Sequence, residues 1–231
     1  MIENIIRKLK NDPNYKWESP HSTRDLISIS WVRLVQVSRG LFLKPFLKKS
    51  KGLLFVGTHV KVRHGYKIRA GRNLILEDNV SLNALSENGI ILGDQVSIAR
   101  DSILFCTGII AHRGKGITIG DRTGVSARAY FAGQGGITIG SDVIMGPNVQ
   151  IFSENHAYAD TSLTIKEQGV VKQPVSIGDN CWIGAGSTIL AGVILGDGCV
   201  VAAGSVVTKS FPGNSVIGGI PARLIKTRGE N

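Results

Sequence analysis

Residues 177–207 read IGDNCWIGAGSTILAGVILGDGCVVAAGSVV, and an aliphatic residue leads every sixth position: Ile177, Ile183, Ile189, Leu195, Val201 and Val207. A helix repeats every 3.6 residues and a strand every two, so neither produces this period. A chain that turns a corner after each short strand does. Small residues follow most leaders (Gly178, Gly184, Gly196, Ala202), and a second inward position stands four places on (Cys181, Ser187, Val193, Cys199, Ser205). Three such hexads make one 18-residue coil of a parallel β-helix. Leaders eighteen apart, such as Ile177 and Leu195, then stack about 4.8 Å apart in one core column.

Working outward from this stretch, the same sixes recur at Leu76/Leu82, Leu92/Ile98/Leu104, Ile119/Val125/Phe131 and Ile139/Met145/Ile151. Gly-Asp pairs after several leaders (Gly93-Asp94, Gly120-Asp121, Gly178-Asp179, Gly196-Asp197) read as turns. The expected fold is all-β, a parallel β-helix over residues 51–231, preceded by a helical extension or cap over residues 1–50. Ile139 and Ile177 are 38 positions apart, one coil plus a 20-residue excursion. That excursion, residues 153–174, is polar, aperiodic and closed by Pro174. Long loops leaving a regular solenoid tend to carry function.

The extension has its own character. Met1–Lys10 reads as a short amphipathic helix, ended by Asn11-Asp12-Pro13. Ser22 or Thr23 can cap a second helix whose Leu26, Ile27, Trp31, Leu34 and Val35 share one apolar face. Leu41 to Lys49 then mixes apolar and basic residues. Two readings stand together: the segment covers the open end of the solenoid, or it lies on an anionic membrane.

Charge sharpens this contrast. Of the net +10, residues 1–75 carry 16 Lys and Arg against 4 Asp and Glu, while residues 76–231 carry 11 against 13. Neither a helix-turn-helix, a zinc-finger spacing nor an aromatic-basic RNA motif accompanies the charge, so no nucleic-acid partner is expected. Cys106, Cys181 and Cys199 form no C-x-x-C and read as small core residues of a reduced protein. With no signal-peptide pattern and no apolar run near 20 residues, the expected location is cytoplasmic, peripheral at the inner membrane face if the basic region docks there.

Four further stretches stand in order around the hexads: Ser153-Glu154-Asn155-His156 in the excursion, Cys181-Trp182-Ile183-Gly184, Gly204-Ser205-Val206-Val207-Thr208-Lys209, and Gly219-Ile220-Pro221-Ala222-Arg223. The set resembles the hexapeptide-repeat acyltransferases, in particular the maltose/galactoside O-acetyltransferase-like branch that includes polysaccharide-modifying acetyltransferases. The resemblance runs from about Leu53 to Arg228. It implies a left-handed β-helix, a homotrimer with active sites between neighbouring subunits, acetyl-CoA as co-substrate, and no metal.

It also implies roles. His156 matches the family's general base, a task that suits an imidazole near neutral pH. An orienting group is expected for its second nitrogen, with Glu154, Asp160 or a backbone carbonyl as candidates. Trp182 matches a tryptophan beside that histidine; it faces outward, to donate to the acyl oxygen or to pack at the trimer interface. Ala185 and Ala203 match pantetheine contacts, Thr208 and Lys209 the next pair, and Arg223 and Lys226 basic positions near the CoA phosphates.

The family's sugar-contacting asparagine aligns with Ser126, and the segment from His156 to Trp182 is two residues longer than the pattern. A simple galactoside or maltose is therefore not the expected acceptor. Ser126, Arg128, Tyr130 and Asn155 are the candidate acceptor contacts, and Asn148 reads as a turn residue. The expected acceptor is a sugar hydroxyl on a surface-polysaccharide precursor, free or lipid-linked. The alternatives are N-acetylation of an amino sugar, a non-catalytic scaffold, and a γ-carbonic-anhydrase-like zinc lyase. For the last, His59 and His64 have H-x4-H spacing, but His21, His112 and His156 fall at the wrong distances for a third ligand.

Overall fold

A computed structural model describes residues 21–230 together with Arg7, Pro13, Asn14 and Lys16. The short helix expected over Met1–Lys10 lies, apart from Arg7, outside the described residues.

Short strands alternate among three parallel sheets that form the sides of a prism. Sheet A runs from Lys49–Ser50 to Ile194–Leu195, sheet B from Leu54–Val56 to Val200–Val201, and sheet C from Lys61–Arg63 to Val206–Val207. Each strand pairs with its counterpart one coil on: Ile183 with Val201 in sheet B, Ile189 with Val207 in sheet C. Ile139 pairs directly with Ile177, so the excursion loops out without disturbing the ladder. Sheet B is then extended by Ser215–Gly219 and the antiparallel Ala222–Thr227.

The leaders and their inward partners fill the prism. Ile98, Val125, Met145, Ile183 and Val201 form one buried column, and Val143, Cys181, Val193, Cys199 and Ser205 complete the layers. Each fully buried aliphatic side chain is worth roughly 1.5–3 kcal/mol. All three cysteines are free and buried; burial pushes the thiol of Cys106 up to about 12 and that of Cys181 to about 11, which leaves both protonated at neutral pH.

The corners explain the Gly-Asp pairs. At the A–B corner an aspartate accepts from a backbone N–H of the preceding coil: Asp94 Oδ1 from Arg72, Asp121 Oδ1 from Asp94, Asp179 Oδ1 from Ser141 and Asp197 Oδ1 from Asp179. The glycine before it allows close stacking. At Gly93, before Asp94, a Cβ would stand 2.7 Å from the backbone nitrogen of Asp121.

Before the solenoid lies α1, Thr23–Leu43, followed by a 3-10 turn at Lys44–Phe46. Ser22 is its N-cap, and Ser22 and Asp25 form a reciprocal capping box. The helix docks on the first strand of sheet B through Gln36 and Gly40. A Cβ on Gly40 would meet the carbonyl oxygen of Leu54 at 1.8 Å, so only glycine fits. Arg33 covers Phe55 at 5.8 Å from the ring centroid. The stripe of Ile27, Trp31 and Leu34 does not face the solenoid; all three are exposed. The docking face is formed instead by a polar residue and a glycine, which the apolar spacing does not mark.

Candidate functional site

Two corners of the prism carry the residues singled out by sequence. Along the B–C corner the third residue of each turn adopts left-handed backbone: His59, Asn79, Asp101, Arg128, Asn148, Gly186 and Gly204, with φ between +53° and +69°. A backbone ladder joins them, from Arg128 N to Arg100 O at 3.0 Å, Asn148 N to Ala127 O at 2.9 Å, Gly186 N to Pro147 O at 2.8 Å and Gly204 N to Ala185 O at 2.8 Å. Asn148 is thus a turn residue, and its Oδ1 accepts from Arg128 Nε at 2.9 Å.

This edge changes chemistry along its length. Ser126 and Arg128 lie at its polar part, whereas Ala185-Gly186 and Ala203-Gly204 follow on the next coils but one and two. Nothing stands within 4 Å of a Cβ built on Gly204. A thin chain can lie there against exposed backbone. Arg223 pairs with Gly218 beside this edge, and the Cβ of Ala202 lies 3.0 Å from where a Gly218 Cβ would stand. Lys226 sits further along the same hairpin, opposite Val216. Ala185, Ala203 and Arg223 therefore gather on one side, with Lys226 displaced toward the far end of the strand.

The C–A corner is built differently. His156 ends the strand Glu154–His156, which pairs antiparallel with Val170–Lys172: Glu154 opposite Lys172, Asn155 opposite Val171, His156 opposite Val170. Asn155 and His156 are exposed. No described side chain hydrogen-bonds the His156 ring. Asp160 is occupied elsewhere, accepting from the backbone and hydroxyl of Ser162 at 2.9 and 2.6 Å, and the hydroxyl holds its carboxyl below the usual range. Thr208 and Lys209 lie at the same corner two coils on. Lys209 Nζ is 5.5 Å from the ring centroid of Phe211.

A second excursion at this corner escaped the sequence reading. Ile90–Leu92 pairs with Ile117–Ile119 at a separation of 27, nine residues longer than one coil. The surplus is the loop over residues 107–115. Thr107 Oγ1 accepts from Gly114 N at 2.9 Å and donates to Leu85 O, and Lys115 forms an ion pair with Glu87 at 2.8 Å. Lys172 Nζ reaches back to the carbonyls of His112 and Arg113, 3.3 Å each. The histidine hairpin thus leans on a braced second loop. The signal was the 15-residue step from Leu104 to Ile119, where six is the rule.

Sheet C spans the gap between these corners, and Tyr130 and Phe152 pack on its outer face with centroids 5.9 Å apart. Trp182 is on sheet B, paired with Ile144 and Val200, and is 56% exposed. Sheet B faces away from the C–A corner. One chain therefore does not bring Trp182 to His156, and no hydrogen bond or ring contact joins them among the described residues. His59 and His64 lie at separate corners of the first coil, and the His64 ring meets Tyr66 at 3.2 Å.

Comparison with known proteins bears on the family and the fold. A family model described as "Hexapeptide repeat of succinyl-transferase" matches residues 174–209. YJL218W of Saccharomyces cerevisiae, a candidate acetyltransferase, is 31% identical over 69% of this chain and 82% of its own length. The sophorolipid acetyltransferase of Starmerella bombicola is 28% identical over 96% of this chain and 88% of its own. Other curated relatives are matched over about half of their length, 58%, 51% and 42% for three of them. Among solved structures, AntD, an N-acyltransferase from Bacillus cereus in complex with dTDP-4-amino-4,6-dideoxyglucose and coenzyme A, superposes with a TM-score of 0.53. At 18% identity over 83% of this chain and 89% of that one, AntD speaks for the fold alone. With the stacked hexads, the looped-out histidine hairpin and the yeast protein matched over most of both lengths, the chain belongs to the hexapeptide-repeat acyltransferase family and has that family's left-handed β-helix.

Proposed function

We propose that the protein is an acetyl-CoA-dependent O-acetyltransferase acting on a sugar hydroxyl of a surface-polysaccharide precursor. The observation that carries this reading is the placement of His156 on a hairpin outside the solenoid, braced by the loop over residues 107–115, beside a strand ladder that runs on through the insertion. The reaction is direct transfer. The His156 imidazole takes the hydroxyl proton as the acceptor oxygen attacks the thioester carbon. The tetrahedral intermediate then collapses, the C–S bond breaks, and the imidazolium returns the proton to the leaving CoA thiolate. Indole N–H donation from Trp182 to the carbonyl oxygen would stabilise its developing charge.

The Ala185 and Ala203 turns fit the pantetheine arm because they leave backbone groups open beside it. Arg223 and Lys226 suit the phosphates, with Thr208 and Lys209 as further contacts. Ser126, Arg128, Tyr130 and Asn155 form the acceptor side, and the loop over residues 107–115 belongs with them. Because His156 and Trp182 sit on different sides of one chain, the complete site is read as intersubunit, in a homotrimer. A relative matched over nearly the whole chain is named for a sophorolipid, which supports a lipid-linked saccharide as acceptor.

The test is a screen of acetyl-CoA consumption against nucleotide-activated and lipid-linked saccharides, with the mass and linkage of the product determined. Transfer to a hydroxyl, abolished in His156→Ala, is the expected result. Transfer to an amine alone would establish the N-acetyl alternative instead.

A further inference from the structure

The described residues hold one helix that could cross a bilayer by length and composition alone, Thr23–Phe46. Its docking argues against spanning. Residues from Val35 to Gly40 are held on the solenoid, where Gly40 meets Leu54 and Arg39 lies near Asp78. The free part, Thr23 to Leu34, is about 18 Å long at 1.5 Å per residue, against a hydrocarbon thickness of about 30 Å. While the helix stays docked it is too short to span.

The same helix is apolar on the face turned away from its own protein. Ile27, Trp31, Leu34 and Leu41 are spaced by four, three and seven, which places them on one stripe with Phe42 at its side. The docking residues Gln36 and Gly40 lie on the opposite side. Trp31 is 65% and Phe42 80% exposed, and Phe46 in the following turn is exposed as well. A surface helix normally turns polar residues outward, so this face is built to be covered.

Charge identifies the cover. From residue 21 to residue 53 there are seven Lys and Arg against Asp25 alone. Lys48 and Lys49 follow Phe46 after Leu47 and are exposed, and Lys49, Lys51 and Arg69 lie at the end of one open depression nearest the helix, with Asp94 and Asp121 further along it. A second copy would bring like charges together, whereas an anionic lipid surface matches both the charge and the apolar stripe.

We propose that α1 and its following turn form an interfacial anchor. Trp31, Leu34, Leu41, Phe42 and Phe46 enter the headgroup–acyl boundary of an anionic bilayer, while Lys48 and Lys49 meet the headgroups and the β-helix remains in water. The anchor is independent of the catalytic reading: the first coil and the coil that precedes the histidine hairpin are four strand spacings apart, about 19 Å along the solenoid.

The test is co-sedimentation of the full chain with vesicles of phosphatidylcholine alone and of phosphatidylcholine with phosphatidylglycerol. Binding to the anionic vesicles is expected, weakened by added salt. Trp31→Ser with Leu34→Ser should reduce it about tenfold or more, and Lys48→Glu with Lys49→Glu should reduce both the binding and its salt dependence. Both pairs change exposed side chains, and unchanged circular dichroism and melting would verify their folding. The proposal is overturned if folded wild type stays in solution with anionic vesicles, or if the Trp31/Leu34 variant binds as wild type does. It is equally overturned if the vesicles are ignored while the same variant lowers the oligomeric state, because the face would then belong to a second copy.

Discussion

The B–C and C–A corners belong to one prism but follow opposite rules. At B–C every turn has the same length from the first coil to the last, and the left-handed position is filled in series by His59, Asn79, Asp101, Arg128, Asn148, Gly186 and Gly204. At C–A the chain leaves the solenoid, first for the loop over residues 107–115 and then for residues 153–174. The regular edge exposes backbone at a fixed pitch, which suits an extended ligand. The irregular one presents side chains away from the ladder, as a reacting group requires. Parallel strand pairing through the insertions (Leu92 with Ile119, Ile139 with Ile177) lets both coexist.

The division can be broken most severely at His156. His156→Ala should lower kcat by about 10² to 10⁴ while leaving acetyl-CoA affinity and the melting temperature in place, because the exposed ring makes no described hydrogen bond. Loss of fold along with activity would mean that the hairpin is structural.

A comparable free energy lies in the frame. Phe131, fully buried in sheet C between the two corners, should cost about 3–5 kcal/mol on replacement by alanine, measured by denaturant unfolding. The hallmark is lost stability with the wild-type KM retained in the fraction still folded.

A smaller and selective effect is expected at the regular edge. Ala203→Glu places a carboxylate where the pantetheine arm is proposed to lie, and should raise the KM for acetyl-CoA about tenfold with kcat little changed. An unaltered KM would remove Ala203 from the binding edge.

The smallest effect concerns pH. Backbone N–H donation from Thr58 to Asp78 and from Arg72 to Asp94 holds both carboxyls below their ordinary range. The Arg122 guanidinium does the same for Asp142. Their contribution to stability is complete above the unfolded value of about 3.9 and is lost as pH falls through the lower folded values. The melting temperature should therefore hold down to about pH 4 and fall below it, less steeply in Asp94→Asn.

The solenoid was legible because its period is unlike any other, and Ser22 because a cap directly precedes an apolar run. The facing of α1 was not. Ile27, Trp31 and Leu34 announce an apolar stripe, but spacing does not say whether protein or something else covers it; the seat is Gly40, chosen for the absence of a side chain. The loop over residues 107–115 was hidden because Ile109 and Ile110 are as apolar as true leaders. Ala185, Ala203 and Arg223 could be gathered from motif order, whereas the separation of Trp182 from His156 depends on which side each occupies, and a hexad count does not assign sides.

The central claim, that the two corners meet only between subunits, is tested most directly by mixing two crippled chains. His156→Ala keeps the B–C edge, and Ala203→Glu, assayed well below its KM for acetyl-CoA where about a tenth of the wild-type rate is left, keeps the histidine. Co-expressed in equal amounts, they should recover roughly a quarter of wild-type activity, since one in four random neighbour pairs joins an intact hairpin to an intact edge. No recovery from mixed trimers would place both corners of the site in one chain and contradict the account.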